Sequence, residues 1–273
     1  SALARIFNFP PPAQLLLSGH KPSHSVSPSL IAGSDAMLRA TTGKSEPFMT
    51  IKPQPRSPGL PADENLLGHI SRYLEQRIDP VSRERELWSA YGTTVAAMVL
   101  DSSGFSRVSA SHGIVHCLAR LVELRVICAL ALRSHNCMRL QYEADNVFAI
   151  FPSVADAISG AMAMHLEVHR AGLMLTERER FRVCIGIGYG RMLYAGNPEG
   201  FFSRELNFAS KLGEDVAEGD ETLLTENAWR HAPGKQRQGF RADEVYIGGM
   251  LLPCYRHRFN VAGCRPLSGG SQG

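Results

Sequence analysis

The segment Val95-Ala-Ala-Met-Val-Leu-Asp-Ser-Ser-Gly-Phe-Ser106 constrains the fold more than any other part of the chain. Its unbroken apolar run, Val95 to Leu100, fits a central strand buried on both faces. The run ends in Asp101, and a glycine-aromatic turn, Gly104-Phe105, then leads into a helix. A second acid, Asp145, follows in Tyr142-Glu-Ala-Asp-Asn-Val-Phe-Ala-Ile-Phe151, again beside a strand-like run. Two carboxylates on neighbouring strands, with backbone amides at a helix start between them, suit metal-bound polyphosphate.

The rest of the pattern is regular from Thr93 onward. Ser109 or Ser111 is placed to cap a long helix with Val115, Leu118, Val122 and Val126 on one stripe. Met138–Tyr142 and Val147–Phe151 read as strands joined through the tight Glu143-Ala-Asp-Asn146 connection. A second helix carries Val154, Ile158, Met162 and Leu166 on one face. Arg182–Gly188 alternates strictly and reads as a strand, with Met192–Ala195 as its hairpin partner. Gly186, Gly188 and Gly190 are expected to flatten that hairpin; no helix follows them as a dinucleotide fingerprint needs. A helix over Glu205–Val216, a short strand Thr222–Thr225 and a closing strand Cys254–Phe259 complete the pattern. The expected fold is therefore α+β: a ferredoxin-like βαββαβ antiparallel sheet with helices on one face, plus additional C-terminal strands.

Four regions are expected. Residues 1–62 are rich in Pro, Ser and Gly and bury too little to offset their ordering entropy, so they read as disordered. Residues 63–92 form a lead-in helix capped by Asp63 or Asn65 and broken at Pro80, serving either to cover the core or to form a dimer. Residues 93–260 make the main domain, and 261–273 a flexible Gly-Ser tail. The N-terminal region is also a candidate docking segment for a protein partner.

A net charge of +3 is too small to argue for nucleic acid or an anionic membrane. No apolar run approaches the roughly 18 residues of a spanning helix, so no transmembrane segment is expected. The six cysteines lack paired spacing and sit in apolar contexts. They read as reduced core thiols of a cytoplasmic protein.

With those elements assigned, the stretch from about Thr94 to Trp229 resembles the catalytic domain of class III nucleotidyl cyclases. The matching pieces are Leu100-Asp-Ser-Ser-Gly-Phe-Ser106, Glu143-Ala-Asp-Asn146, Cys184-Ile-Gly-Ile-Gly-Tyr-Gly190 and Leu206-Asn-Phe-Ala-Ser-Lys-Leu212, in the family's order. The resemblance implies that Asp101 and Asp145 bind two Mg²⁺ or Mn²⁺ ions, with the carbonyl of Ser102 joining them. It implies that amides around Gly104 and Phe105 cradle the phosphates, that Asn207 bonds the ribose in the transition state, and that Lys211 takes the place of a phosphate-binding arginine. It further implies a homodimer whose sites form between protomers, acting on a purine nucleoside triphosphate, ATP favoured, to give the 3′,5′-cyclic monophosphate and pyrophosphate.

The chain departs from that family at the base-reading pair. Gln141 stands where adenylyl cyclases have Lys, and Gly200 where they have Asp. An amide both donates and accepts, so Gln141 suits either purine. Phe201 and Phe202 are candidate stacking partners, and the Ser203-Arg204-Glu205 sequence is expected to narrow the pocket. Lys211 keeps the charge of an arginine without its planar fork. Taken singly, Asp101 can be a helix cap, Asp145 a turn residue and Asn207 a solvated surface group; the functional reading rests on their joint arrangement. The alternative is a degenerate cyclase-homology module, serving as a nucleotide-sensing or dimerisation and docking domain.

Overall fold

The structure, a computed structural model, describes residues 65–196 and 199–260. The regions read as disordered (1–62) and as a flexible tail (261–273) lie outside the described residues, as does the candidate cap Asp63. The described residues all belong to one unit, Glu46–Gly273.

The apolar run becomes β1 (Gly92–Ser102), buried throughout Val95–Leu100. It lies between β3 (Asn146–Phe151) and β4 (Val183–Gly196), antiparallel to both, and β2 (Arg139–Glu143) pairs outside β3. This β2-β3-β1-β4 order is the expected split unit. Beyond it come β6 (Glu221–Thr225), parallel to β4, and the hairpin of β7 (Arg241–Ile247) and β8 (Met250–Arg258). The Arg182–Gly188 strand continues unbroken to Gly196, so Met192–Ala195 is not its hairpin partner. That role belongs to β5 (Gly200–Phe202).

Asn65 caps α1 (Leu66–Glu75), accepting from the Gly68 amide at 2.8 Å. Pro80 opens a 3₁₀ turn before α2 (Glu84–Tyr91), as its missing N–H requires. Leu66, Tyr73 and Leu87 form a buried cluster with Ala195 of β4, so the lead-in helices cover core.

Gly104, in left-handed backbone at φ 83°, turns the chain into α3 (Phe105–His112), and Gly113 opens α4 (Ile114–Arg133). Ser109 and Ser111 lie inside α3 and bond back to its carbonyls, so neither caps the long helix. Nor does the expected stripe face the core: Val115 is 77% exposed, Leu118 47% and Val122 55%. The buried face is Cys117, Leu121, Leu124, Cys128 and Leu132. Apolar residues surround most of α4, and packing has selected the side with small Cys groups. That side meets α5 (Val154–Arg170), whose Ala157, Gly160 and Ala161 are also small and buried. On α5 itself Val154 and Ile158 are buried as expected, but Ala161 and Met164 replace Met162 and Leu166 on the inner face.

The two long helices share one face of the sheet, with Met98, Leu100, Ile185 and Ile187 in the core between. The other face holds α6 (Arg204–Lys211), which runs into a π turn at Leu212–Val216. The glycines of β4 explain how closely α6 lies on the strand. A Cβ on Gly186 would stand 2.0 Å from the Ala209 carbonyl oxygen, and one on Gly188 2.3 Å from that of Glu205. They form a bed for α6 and do not flatten a hairpin. The five cysteines among the described residues are buried free thiols, as expected. No helix among the described residues is long and apolar enough to cross a membrane.

Candidate functional site

Strand alternation sets Asp101 on the α6 face of the sheet, with Val95 and Ala97, while Met98 and Leu100 face α4 and α5. Asp145 sits in the two-residue turn between β2 and β3, where Ala144 takes a positive φ of 50°. The π turn after α6 adds Glu214 and Asp215 to this face, and the Asn146 amide donates to Glu214 at 3.3 Å. Burial pushes the Asp101 carboxyl up to about 6; the charges of Asp145, Glu214 and Asp215 add to the rise, and the Ser102 amide bond at 2.6 Å opposes it. Burial, then Asp215, also raises Glu214, against the pull of Lys211. Neither Asp101 nor Asp145 has an ion-pair partner among the described residues.

A half-buried carboxylate held among like charges fits a divalent cation. The donors are hard oxygens, the class that Mg²⁺ and Mn²⁺ prefer. No three acid, His or Cys side chains among the described residues converge on one point. Ser102 points its side chain to the helix-covered face, where its Oγ is buried without a hydrogen bond, so only its backbone lies toward Asp101. Gly104 and Phe105 stand at the start of α3, whose first-turn amides lack intrahelical acceptors.

Asn207 and Lys211 lie one turn apart on α6, both exposed. The Asn207 side chain makes no hydrogen bond among the described residues. Lys211, the last residue of α6, donates to Asp215 of the π turn at 2.8 Å, an ion pair within the same chain. The fold thus gathers the two acids on one side and leaves these two donors facing outward.

Gln141 and Gly200, far apart in sequence, are brought together: a Cβ on Gly200 would lie 3.5 Å from Gln141 Oε1. Gly200 has a φ of +78°, a conformation that disfavours a side chain there. Between them is a cavity of about 160 Å³. Phe201 is buried, lines this cavity and stacks on Tyr194 with centroids 4.6 Å apart, whereas Phe202 faces solvent at 45% exposure. Ser203, Arg204 and Glu205 do not narrow it. Ser203 caps α6 through the Leu206 amide, Arg204 stacks on Phe208, and Glu205 accepts from Thr225 at 2.6 Å. Arg204 and Glu205 line a separate cavity of about 210 Å³ on the far side of α6.

Three residues at these sites escaped the sequence reading. Glu214 and Asp215 follow the α6 motif directly, and helical phase alone would have set them beside it. Arg139 is two residues before Gln141 on β2, hence on the same face.

No family model matches this sequence, and no curated protein does either. Solved structures do match. The catalytic core of a rhodopsin-guanylyl cyclase with converted specificity, in complex with ATPαS, is 13% identical at a TM-score of 0.51, covering 60% of this chain and 97% of that one. A dimeric guanylyl cyclase domain from the aquatic fungus Blastocladiella emersonii is 12% identical at 0.51, covering 62% and 98%. The guanylate cyclase domain of RhGC from Catenaria anguillulae, in complex with GTP, is 12% identical at 0.50, covering 61% and 97%. The described residues carry the class III nucleotidyl cyclase catalytic fold.

Proposed function

We propose that this chain is a metal-dependent nucleotidyl cyclase, converting a purine nucleoside triphosphate, ATP before GTP, to its 3′,5′-cyclic monophosphate and pyrophosphate. The observation that carries the reading is Asp101, half-buried at the end of β1 on the face that Asp145, Glu214 and Asp215 also charge, with no ion-pair partner among the described residues. A structural carboxylate in such a place would be expected to have a partner.

In the proposed reaction the ribose 3′-hydroxyl releases its proton to solvent as its oxygen attacks the α-phosphorus in line, the bond to the bridging β-phosphate oxygen breaks, and pyrophosphate leaves. Asp101 and Asp145 would hold two Mg²⁺ or Mn²⁺ ions, with the Ser102 carbonyl beside them. Bound there, such ions polarise the 3′-hydroxyl and neutralise the triphosphate. The Gly104 and Phe105 amides donate to phosphate oxygens at the start of α3. Asn207 hydrogen-bonds the ribose and fixes the attacking oxygen. Lys211 exchanges Asp215 for a phosphate oxygen as the negative charge shifts toward the leaving group. Asn207 and Lys211 face outward from α6, and this supports a homodimer in which each acid pair is completed by the partner's helix.

The second reading is a module that binds nucleotide or a partner without turning substrate over. The Lys211–Asp215 ion pair favours it, because it occupies the expected phosphate donor. The assay that separates the two offers each ribonucleoside triphosphate with Mn²⁺ and scores cyclic product, with Asp145→Asn as control. Product lost in the control supports the enzyme. No product from any nucleotide leaves the module.

A further inference from the structure

We propose that Arg139 is a specificity-determining residue that donates to the in-plane acceptor of a purine base, adenine N1 or guanine O6. The inference rests on the cyclase reading for the nature of the ligand, and on the cavity beside β2 for the site. Phe148, Ile150, Phe201 and Leu206 give that cavity apolar walls, and Arg139, Gln141, Glu143 and Glu199 give it a polar edge. An apolar slot with a few fixed polar groups at one edge fits a flat heteroaromatic ring.

Arg139 is held in place at this edge. One Nη donates to the Tyr194 hydroxyl at 2.5 Å, and the guanidinium carbon lies 5.2 Å from the Tyr194 ring centroid. Tyr194 is itself packed against Phe201, so the cation is braced by the slot's own wall. The other Nη donates to Gln141 Oε1 at 3.3 Å. A guanidinium accepts nothing, so the Gln141 oxygen must face it. Gln141 therefore does not act as a free two-way reader: its oxygen is engaged, and the donors at this edge are its amide nitrogen and the guanidinium.

These two bonds leave further guanidinium N–H groups unused, since a guanidinium carries five. Arg139 is partly buried and forms no ion pair among the described residues. With two bonds made and Glu143 and Glu199 lining the same cavity, its remaining N–H groups are spare donors for an acceptor that enters the slot. Gly200 leaves room on the facing side, because no side chain stands between it and Gln141. Glu199, on the rim, is an acceptor for the N–H that flanks the acceptor atom on either purine. The competing explanation is structural, with Arg139 only tying β2 to β4 through Tyr194. It predicts a stability change on mutation and no change in which base is bound.

The test reads binding without turnover, by calorimetry of the full chain with Mg²⁺. The probes are 3′-deoxy-ATP and 3′-deoxy-GTP, which lack the attacking hydroxyl, the 1-deaza analogue of 3′-deoxy-ATP, which lacks the ring acceptor, and inorganic tripolyphosphate, which lacks a base. Arg139→Ala is expected to weaken 3′-deoxy-ATP about ten-fold or more, the scale of one charge-assisted hydrogen bond. It should weaken 3′-deoxy-GTP as well, which offers O6 to the same donor, and leave tripolyphosphate unchanged. The 1-deaza analogue should bind wild type and variant alike. Tyr194→Phe, which releases the guanidinium while keeping the ring, should give a smaller loss with the same pattern, and covers the case in which Arg139→Ala folds poorly. Equal losses for 3′-deoxy-ATP and its 1-deaza form, or no loss for either, would overturn the proposal. Absence of cyclic product alongside the expected binding pattern would count against the cyclase reading and leave Arg139 its role.

Discussion

The two ends of the candidate site solve opposite electrostatic problems. At the metal edge, Asp101 is crowded by Asp145, Glu214 and Asp215, and burial raises its proton affinity. At the base edge, Arg139 is satisfied locally by Tyr194 and Gln141. One edge stores unfavourable charge that a ligand must relieve; the other is a finished scaffold with spare donors. On the proposed reading chemistry belongs to the first edge and selection to the second, and substitutions at the two should differ in kind.

The largest expected effect breaks the metal edge. Asp145→Asn should lower turnover about 10³-fold or more, since it removes a proposed metal ligand that the fold itself does not need. Melting temperature should stay level or rise, and cyclic product measured beside a thermal melt checks both.

Gly186→Ala attacks the element that spans both edges. The new methyl would meet the Ala209 carbonyl oxygen at 2.0 Å, so α6 must lift from β4. The cost should be about 3 kcal/mol, a fall of roughly 6–12 °C in melting temperature. A variant that melts like wild type would mean that α6 does not rest on this glycine bed.

Asp101→Asn sharpens the contrast through pH. The folded carboxyl is raised from its ordinary 3.8 to about 6, so the fold disfavours the charged form. The resulting penalty is absent below the ordinary value and complete above 6. Without divalent cation, the variant should melt a few degrees above wild type at pH 8, and the gap should close near pH 4. In wild type, Mg²⁺ affinity should fall about ten-fold per pH unit on the acid side, because binding must displace a proton. A pH-independent gap would refute the stored-charge account.

The smallest effect is expected at Ser203, whose departure from the family pattern is structural. Ser203→Ala removes the cap on the Leu206 amide and should cost about 1 kcal/mol, or ~2–4 °C, with base ranking unchanged. An altered base ranking would move Ser203 to the selecting edge.

How much was legible beforehand follows the same division. Asp101 ends and Asp145 precedes an apolar run of the kind that a buried strand explains, so local pattern placed one at a strand end and the other in the turn before a strand. The split topology followed from the order of those runs. The inner face of α4 was not legible, because a helix apolar on most sides has no phase to read until α5 offers its small residues. The glycines of β4 alternate as a hairpin might, and their reason lies in α6, which pattern along one strand cannot see. The base edge was the least visible. It depends on a three-residue strand that begins at Gly200 and on a cation two residues from the expected position. Only the register of β4 with β5 reveals the brace, because it pairs Tyr194 with Phe201.

The central claim is that the acids of one chain act with the α6 donors of another. Mixing Asp145→Asn with Asn207→Ala protein tests it directly. Each variant alone should be nearly inactive. In the mixed dimer one site carries both substitutions and the other carries neither, so activity should recover to about a quarter of wild type at random exchange. Recovery on that scale would establish a shared site. A mixture no more active than its two components, with mixed dimers present, would contradict the account.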